Sequence, residues 1–158
     1  MKIRNKNKGF TLIELLVVVA IIALLSSIAL IALISARQKS RDAKRLGDMT
    51  QMNTALELFW SYNKGYPDGI NGVPQNMTPT IIATYPTAPT PPDLVCEGVG
   101  HSAFPSIPAN TYYYAPSGTP AAINGITVYP SYSYYFCLGN NTGNFSAGER
   151  IVTPNGVH

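Results

Sequence analysis

A long apolar run near the N-terminus dominates the pattern of hydrophobic and polar positions. From Leu15 to Ile34 every residue is apolar except Ser26 and Ser27. At roughly 1.5 Å rise per residue, these positions form a helix about 30 Å long, which matches the hydrocarbon thickness of a bilayer. The pattern therefore predicts a membrane-spanning helix over residues 10–34.

The helical pattern continues beyond this run, over residues 35–64. No proline interrupts the stretch, and mostly apolar side chains recur at steps of three and four. The helix should end between Tyr62 and Lys64, because Gly65 suits a left-handed cap and Pro67 follows. The helix from Phe10 to Asn63 would be about 80 Å long. The stripe expected to face a core comprises Leu46, Met49, Met52, Asn53, Leu56, Phe59 and Trp60.

Residues 65–158 are rich in proline, threonine, glycine, serine and tyrosine, and they predict a globular head. The stretch 78–86 is consistent with one short helix, and a proline-rich connector leads from it to Asp93. Four strand-like runs follow, of which the last is the weakest. The sequence predicts an α+β fold in which a small antiparallel sheet packs against the amphipathic half of the helix. The predicted strands are Thr111–Ala115, Ile126–Tyr129, Ser133–Leu138 and Ile151–Thr153.

Tyrosine is unusually dense in these strands. Exposed tyrosines would serve as rigid contact residues for adhesion or subunit packing. As structural residues they form strands well and cover a small sheet with amphipathic surface. We favour the structural interpretation, although consecutive tyrosines must point to opposite faces of a sheet. The residues are Tyr112, Tyr113, Tyr114, Tyr129, Tyr132, Tyr134 and Tyr135.

Glu14 is a carboxylate at the start of the apolar run. A charge at the centre of a membrane costs about 2.5 to 3.5 kcal/mol on insertion scales, and less near the interface, so such a residue usually has a partner. No lysine, arginine or histidine lies between Phe10 and Ser35. We therefore expect the partner of Glu14 to be solvent, a lipid headgroup, another chain or a terminal amine.

The string Lys8-Gly9-Phe10-Thr11-Leu12-Ile13-Glu14, followed by the apolar residues 15–22, closely resembles the class III signal of type IV prepilins and type II secretion pseudopilins. The resemblance implies a pilin-like fold and cleavage after Gly9 by a prepilin peptidase. It implies methylation of the new amino terminus at Phe10. It also implies that Glu14 meets the Phe10 amine of a neighbouring subunit during filament assembly, since two desolvated opposite charges favour pairing.

Two other interpretations of the N-terminal segment remain open. A secretory signal peptide has an apolar core of about 7 to 15 residues, shorter than this one, although Ser27-Ile28-Ala29 has the small residues of a cleavage site. A plain single-pass anchor would carry Glu14 incidentally. Basic residues lie on both sides of the span, so charge does not set the orientation. The resemblance implies a cleaved leader, residues 1–9, inside the cell and the rest of the chain outside it.

A basic stretch follows the apolar run, at the expected membrane boundary. One interpretation is contact with anionic headgroups, worth about 1 kcal/mol per residue, or with acidic faces of adjacent subunits. The other is a solvated helix face with local ion pairs, Lys39 with Asp42 and both Lys44 and Arg45 with Asp48. The basic cluster comprises Arg37, Lys39, Arg41, Lys44 and Arg45.

Charge and motif content exclude several classes of function for the expected exported part. Beyond Arg45 only Lys64 and Arg150 are basic, which argues against a nucleic-acid partner, because such binding needs clustered cations. Phosphate loops, paired catalytic carboxylates and nucleophile triads are absent from the sequence, so we expect no enzyme and no cofactor. His101 and His158 are the only histidines, so no metal site is expected.

Cys96 and Cys137 are the only cysteines. In an oxidising space outside the cytoplasm they could close a loop with a disulfide worth about 4 kcal/mol. The alternative is two buried free thiols.

The sequence therefore predicts a structural subunit of a type IV pilus-like filament. It would be inserted in the cytoplasmic membrane, and its partners would be other pilin subunits, prepilin peptidase and the assembly machinery. A pseudopilin of a type II secretion or DNA-uptake system is the alternative, and a membrane-tethered binding module is a third. Major secretion pseudopilins often hold calcium with head aspartates, and this chain has no aspartate after Asp93. A helix proline that many relatives carry is replaced by Ile31, which leaves the mechanics of the helix open.

Overall fold

The computed structural model describes residues 9–97 and 100–158. The expected leader, apart from Gly9, lies outside these residues. The chain forms two compact units, Met1–Arg37 and Gln38–His158. The predicted α+β arrangement, one long N-terminal helix with small antiparallel sheets, is confirmed.

The helix, α1, runs from Leu12 to Asn63 without a break. Within the first unit its large apolar side chains are all exposed, from 46% at Val18 and Leu33 to 82% at the preceding Phe10. Among the described residues, α1 is the one helix that is long and apolar enough to cross a membrane, a property that signal sequences share. The combination is typical of a segment whose natural surroundings are lipid or other helices.

The C-terminal end of α1 differs from the predicted cap in one detail. Lys64, not Gly65, has the left-handed backbone conformation, with φ of 58°. The Lys64 N–H donates to the Trp60 carbonyl at 2.7 Å, which completes the last turn. Gly65 is needed for a different reason, since a Cβ there would lie 2.7 Å from Cβ of Val128. Close packing therefore explains the glycine that the sequence pattern assigned to the cap.

The second unit contains eleven described strands and one short 3₁₀ turn at Leu94–Cys96. The strands are β1 Tyr66–Pro67, β2 Gly69–Ile70, β3 Val73–Pro74, β4 Gly100–His101, β5 Phe104–Pro108, β6 Tyr113–Ser117, β7 Ala121–Ile123, β8 Ile126–Tyr129, β9 Ser131–Leu138, β10 Gly148–Thr153 and β11 Gly156–Val157. They form antiparallel sheets in the orders β1-β8-β7, β11-β10-β9-β6, β2-β3 and β4-β5.

All four predicted strands are found, in β6, β8, β9 and β10, and β8 has the predicted bounds. The short helix predicted within 78–86 is wrong. A single turn forms there instead, in which the amides of Ile81 and Ile82 donate to the Thr78 carbonyl. The two-residue strands went unpredicted because they are too short to show an alternating pattern.

The core of the second unit lies between α1 and the sheet formed by β6, β9, β10 and β11. Met49, Met52 and Leu56 are fully buried against β6 and β9 side chains, as the helical stripe predicted. Trp60 is the exception, because it is 41% exposed at the edge of the stripe.

The core tyrosines follow the alternation of the strands. Tyr114 pairs with Tyr134 across β6 and β9 on the face that packs against α1, while Tyr113 pairs with Tyr135 on the other face. The structural interpretation of the tyrosine-rich strands therefore fits their burial. The tyrosines of the main core are Tyr66, Tyr112, Tyr114, Tyr132 and Tyr134.

Candidate functional site

The residues around Glu14 form a capping box at the start of α1. The Thr11 amide donates to Oε2 of Glu14 at 2.9 Å, and the Thr11 hydroxyl donates to the same oxygen at 2.7 Å. In return, the Glu14 amide donates to the Thr11 hydroxyl at 3.3 Å. This reciprocal pattern satisfies amide donors that the first turn of a helix otherwise leaves unpaired. The capping role of Thr11 was not predicted, although its signal, Thr-x-x-Glu ahead of an apolar run, is present in the sequence.

The capping box corrects the expectation that Glu14 has no partner in its own chain. Its hydrogen-bond donors are neutral, however, and no cation pairs with it among residues 9–97 and 100–158. Both bonds use Oε2, and in the same described residues Oε1 accepts none. Glu14 thus combines a structural role, held through one oxygen, with an uncompensated charge on an exposed apolar helix.

The basic cluster divides into two groups in the structure. Arg37, Lys39 and Lys44 are exposed, and Lys44 donates to the Thr87 carbonyl at 3.2 Å. Arg41 and Arg45 turn towards the head instead, and Arg45 is 0% exposed. Arg45 is therefore neither a headgroup or subunit contact nor part of a solvated helix face. Its partners are Asp42 and Asp93 rather than the expected Asp48.

Arg45 lies at the centre of a buried ion cluster. Its Nη1 donates to Asp42 at 2.7 Å and to Asp93 at 2.6 Å, and its Nη2 donates to the Asn110 side chain at 3.0 Å. Arg41 binds the Asp93 carboxylate as well. Because the partners come from α1, the connector and the segment before β6, the cluster fastens α1 to distant parts of the head.

Asp42 extends the cluster to the loop after β9. Its carboxylate accepts the amides of Gly139 at 2.8 Å and Asn140 at 2.9 Å. A Cβ at position 139 would lie 2.5 Å from the Asp93 side chain, so only glycine fits at this crossing. No local pattern in the sequence predicts these contacts, because Gly139 and Asn140 lie 97 and 98 residues after Asp42.

A disulfide joins Cys96 and Cys137 across 41 residues, beside the ion cluster. Both half-cystines are buried, and the Cys96 amide donates to the Asp93 carbonyl at 2.7 Å. Closing a loop of this length stabilises the fold by about 4 kcal/mol on the chain-entropy model. The disulfide therefore holds together the two segments that supply Asp93 and Gly139 to the cluster.

The ion cluster makes stability depend on pH through Asp93. Burial alone would raise the pKa of Asp93, but hydrogen bonds from Arg41 and Arg45 outweigh burial and hold the pKa below its usual range. Folding lowers the pKa of this carboxyl, so Asp93 stabilises the fold fully at pH values above the pKa of an unfolded aspartate, about 3.9. This stabilisation is lost as the pH falls through the lower pKa of the folded state.

We expect the stability difference between the wild type and Asp93→Asn to shrink as pH falls below about 4. The measurement is the thermal midpoint of the head in the detergent-solubilised full chain, taken at several pH values from pH 6 to pH 2. Near-ultraviolet circular dichroism of the tyrosines reports the unfolding. Midpoints that fall in parallel for the two proteins would contradict the assigned role of Asp93.

No group of three or more metal-ligating His, Cys, Asp or Glu side chains occurs within residues 9–97 and 100–158. His101 is fully buried, and its Nε2 lies 2.7 Å from the Thr111 carbonyl. Its Nδ1 lies 3.8 Å from Glu149, which makes His101 a packed residue of the head.

Known proteins are similar to this chain in its N-terminal segment and over most of its length. A family model described as the prokaryotic N-terminal methylation motif matches residues 4–34. The chain is 30% identical over 129 residues to type II secretion system core protein G of Vibrio cholerae serotype O1 (strain ATCC 39315 / El Tor Inaba N16961). That match covers 81% of this chain and 84% of the relative. No solved structure matches the chain. The chain belongs to the type IV prepilin and pseudopilin family.

Proposed function

We propose that the chain is the repeating subunit of a type IV pilus-like filament, cleaved after Gly9 and methylated at Phe10. In this proposal the exposed apolar half of α1 anchors the precursor in the cytoplasmic membrane and then packs against the same segment of other subunits. Glu14 pairs with the Phe10 amine of a neighbour. Among residues 9–97 and 100–158, Oε1 of Glu14 accepts no hydrogen bond and no cation pairs with the carboxylate, and this observation supports the proposal.

The physical reason for polymerisation is the unpaired charge. A desolvated carboxylate is costly alone, and it gains most from a cation that reaches it in the same apolar surroundings. Cleavage after Gly9 would create such a cation at the end of each subunit. Because Thr11 already holds Oε2 of Glu14, the carboxylate is oriented before the neighbour arrives, and little side-chain entropy remains to be lost.

The proposal divides the mature chain into three segments with different roles. Residues 10–34 would form the membrane and filament core, residues 35–64 the helix that carries the head, and residues 65–158 the head itself. Arg37 and Lys39 are exposed, and in this proposal they would contact headgroups or neighbouring subunits. Prepilin peptidase and the assembly machinery are the further partners, and the final location is a filament outside the cytoplasm.

A type II secretion pseudopilin is the second candidate, and the similarity to core protein G of Vibrio cholerae favours it. Against it, the last aspartate of the chain, Asp93, is engaged by Arg41 and Arg45 and is not free to bind calcium. We therefore keep the pilus as the main proposal and the secretion filament as the alternative.

One experiment separates the candidates. Filaments sheared from the surface of the native strain should contain a subunit that mass spectrometry shows to begin at a methylated Phe10. In a deletion strain the filaments should vanish while secreted proteins still reach the medium. Retention of secreted proteins in the deletion strain would favour the secretion filament. A mature protein that begins elsewhere than at Phe10, or that lacks the methyl group, would overturn the processing step in both proposals.

A further inference from the structure

The head contains three Asn-Gly pairs, Asn71-Gly72, Asn124-Gly125 and Asn155-Gly156. In such a pair the amide nitrogen of the glycine can attack the side-chain carbonyl carbon of the asparagine, because glycine has no Cβ to obstruct the approach. Each of the three asparagines is exposed and lies in a turn between two antiparallel strands. The sequence therefore makes the three pairs equal candidates for spontaneous deamidation, and only their packing can rank them.

The Asn71-Gly72 turn is fixed to the main sheet. Gly72 is buried, and a Cβ at this position would clash with the Tyr113 ring. The Gly72 carbonyl also accepts a hydrogen bond from the Tyr114 amide at 2.9 Å. The amide nitrogen of Gly72 therefore cannot move towards the Asn71 side chain unless β2 and β3 first detach from β6.

The Asn155-Gly156 pair is held by the ladder between β10 and β11. Gly156 pairs with Thr153, and the backbones of Ile151 and His158 exchange two hydrogen bonds beyond this pair, at 3.1 Å and 2.8 Å. The Asn155 amide also donates to the Thr153 hydroxyl at 3.2 Å. Because movement of Gly156 would break this ladder, we expect the reaction at Asn155 to be slow as well.

The Asn124-Gly125 turn lacks such restraints. Both residues are exposed, and a Cβ at Gly125 would meet no other atom within 4 Å. The Gly125 amide makes no backbone hydrogen bond within residues 9–97 and 100–158. The turn follows β7, an edge strand of three residues in which Ala121 and Ala122 are exposed. Ring closure requires the turn to relax, and an edge hairpin with few buried contacts opens at low cost.

We propose that Asn124 is the site at which the folded head deamidates spontaneously. The Gly125 nitrogen forms a bond to the side-chain carbonyl carbon of Asn124, and the side-chain amide leaves as ammonia together with the proton of the attacking amide. The product is a cyclic succinimide. Water then opens the ring at one of its two carbonyl carbons, which gives aspartate or isoaspartate. The reaction needs no enzyme, and it is faster at alkaline pH because the attacking nitrogen must lose its proton.

The modification changes a groove on the head. Asn124 lines a cavity of about 470 Å³ together with Leu58, Tyr62 and Ile126. Aspartate at this position adds a negative charge beside apolar side chains. Isoaspartate adds one carbon to the backbone of the turn, so that Ile123 no longer pairs with Ile126. The proposal concerns the folded head, and it is independent of the kind of filament that the chain builds.

The test is a time course of deamidation in the detergent-solubilised full chain at mildly alkaline pH. Mass spectrometry of the peptides that contain the three pairs detects the replacement of NH₂ by OH, and liquid chromatography separates the aspartate and isoaspartate products. We expect Asn124 to convert on the order of tenfold faster than Asn71 or Asn155. In denaturant the three should convert at similar rates, because the packing that distinguishes them is lost.

Two variants test the reason for the ranking. Asn124→Gly removes the reactive side chain but tolerates the left-handed conformation of this turn, so it should abolish the fast conversion alone. Tyr113→Ala removes the ring that covers Gly72 and should speed the conversion of Asn71, while Asn155 stays slow and shows that the head is folded.

Two results would overturn the proposal. One is conversion of Asn71 or Asn155 in the folded wild type as fast as that of Asn124. The other is a folded chain in which none of the three pairs converts during the time in which the denatured chain converts.

Discussion

Replacing Arg45 by methionine is expected to lower the free energy of unfolding of the head by about 3 to 5 kcal/mol. Methionine keeps most of the length of the side chain but leaves Asp42 buried without its cation and Asp93 with Arg41 alone. A buried carboxylate that loses its partner keeps its full desolvation cost. The loss is large against the total stability of a small domain, which is about 5 to 15 kcal/mol.

Lys39→Met is the matched control for this measurement. It removes one cation from the same stretch of α1, but Lys39 is exposed, so its replacement should change the free energy of unfolding by no more than about 0.5 kcal/mol. Denaturant unfolding of the full chain in detergent, followed through the tyrosine signal, measures the free energy of unfolding of both variants. Equal effects of the two substitutions would show that the cluster around Arg45 is a surface feature after all.

The helix and the main strands could be predicted because their signals are local. The apolar run and the stripe of residues at steps of three and four place α1, and alternation places β8 with its observed bounds. The errors arise where tertiary contacts decide. Trp60 lies at the edge of the stripe, and nothing in the helical period shows that the buried face of α1 includes Phe59 but not Trp60. Gly65 reads as a cap, although packing against Val128 is what requires it.

The candidate site also shows that local patterns do not predict contacts between distant residues. The motif from Gly9 to Glu14 is contiguous, so the sequence points to it directly. The ion cluster is assembled from residues far apart in the chain, because Arg45 contacts Asp93 across 48 residues and Asp42 contacts Gly139 across 97. Pairing rules for helices selected Asp48, three residues after Arg45, whereas the partners in the structure are Asp42, three residues before it, and the distant Asp93.

The capping box changes how the proposed assembly role of Glu14 must be tested. Alanine at this position would remove both the charge and the helix cap, so a loss of filaments could be due to either. Glutamine separates the two, because a glutamine can occupy the N3 position of a capping box, three residues after Thr11, while carrying no charge. Thr11→Val supplies the opposite variant, since it removes the hydroxyl of the cap and keeps the Glu14 carboxylate.

The most direct test is therefore the number of surface filaments formed in the native strain by Glu14→Gln, with Thr11→Val as the control. We expect Glu14→Gln to insert in the membrane and to yield a mature N-methylated Phe10 terminus by mass spectrometry, yet to form essentially no filaments. Thr11→Val should retain them. If Glu14→Gln assembles filaments as abundantly as the wild type, the charge of Glu14 does not pair with the amine of a neighbour, and its role is confined to the helix cap.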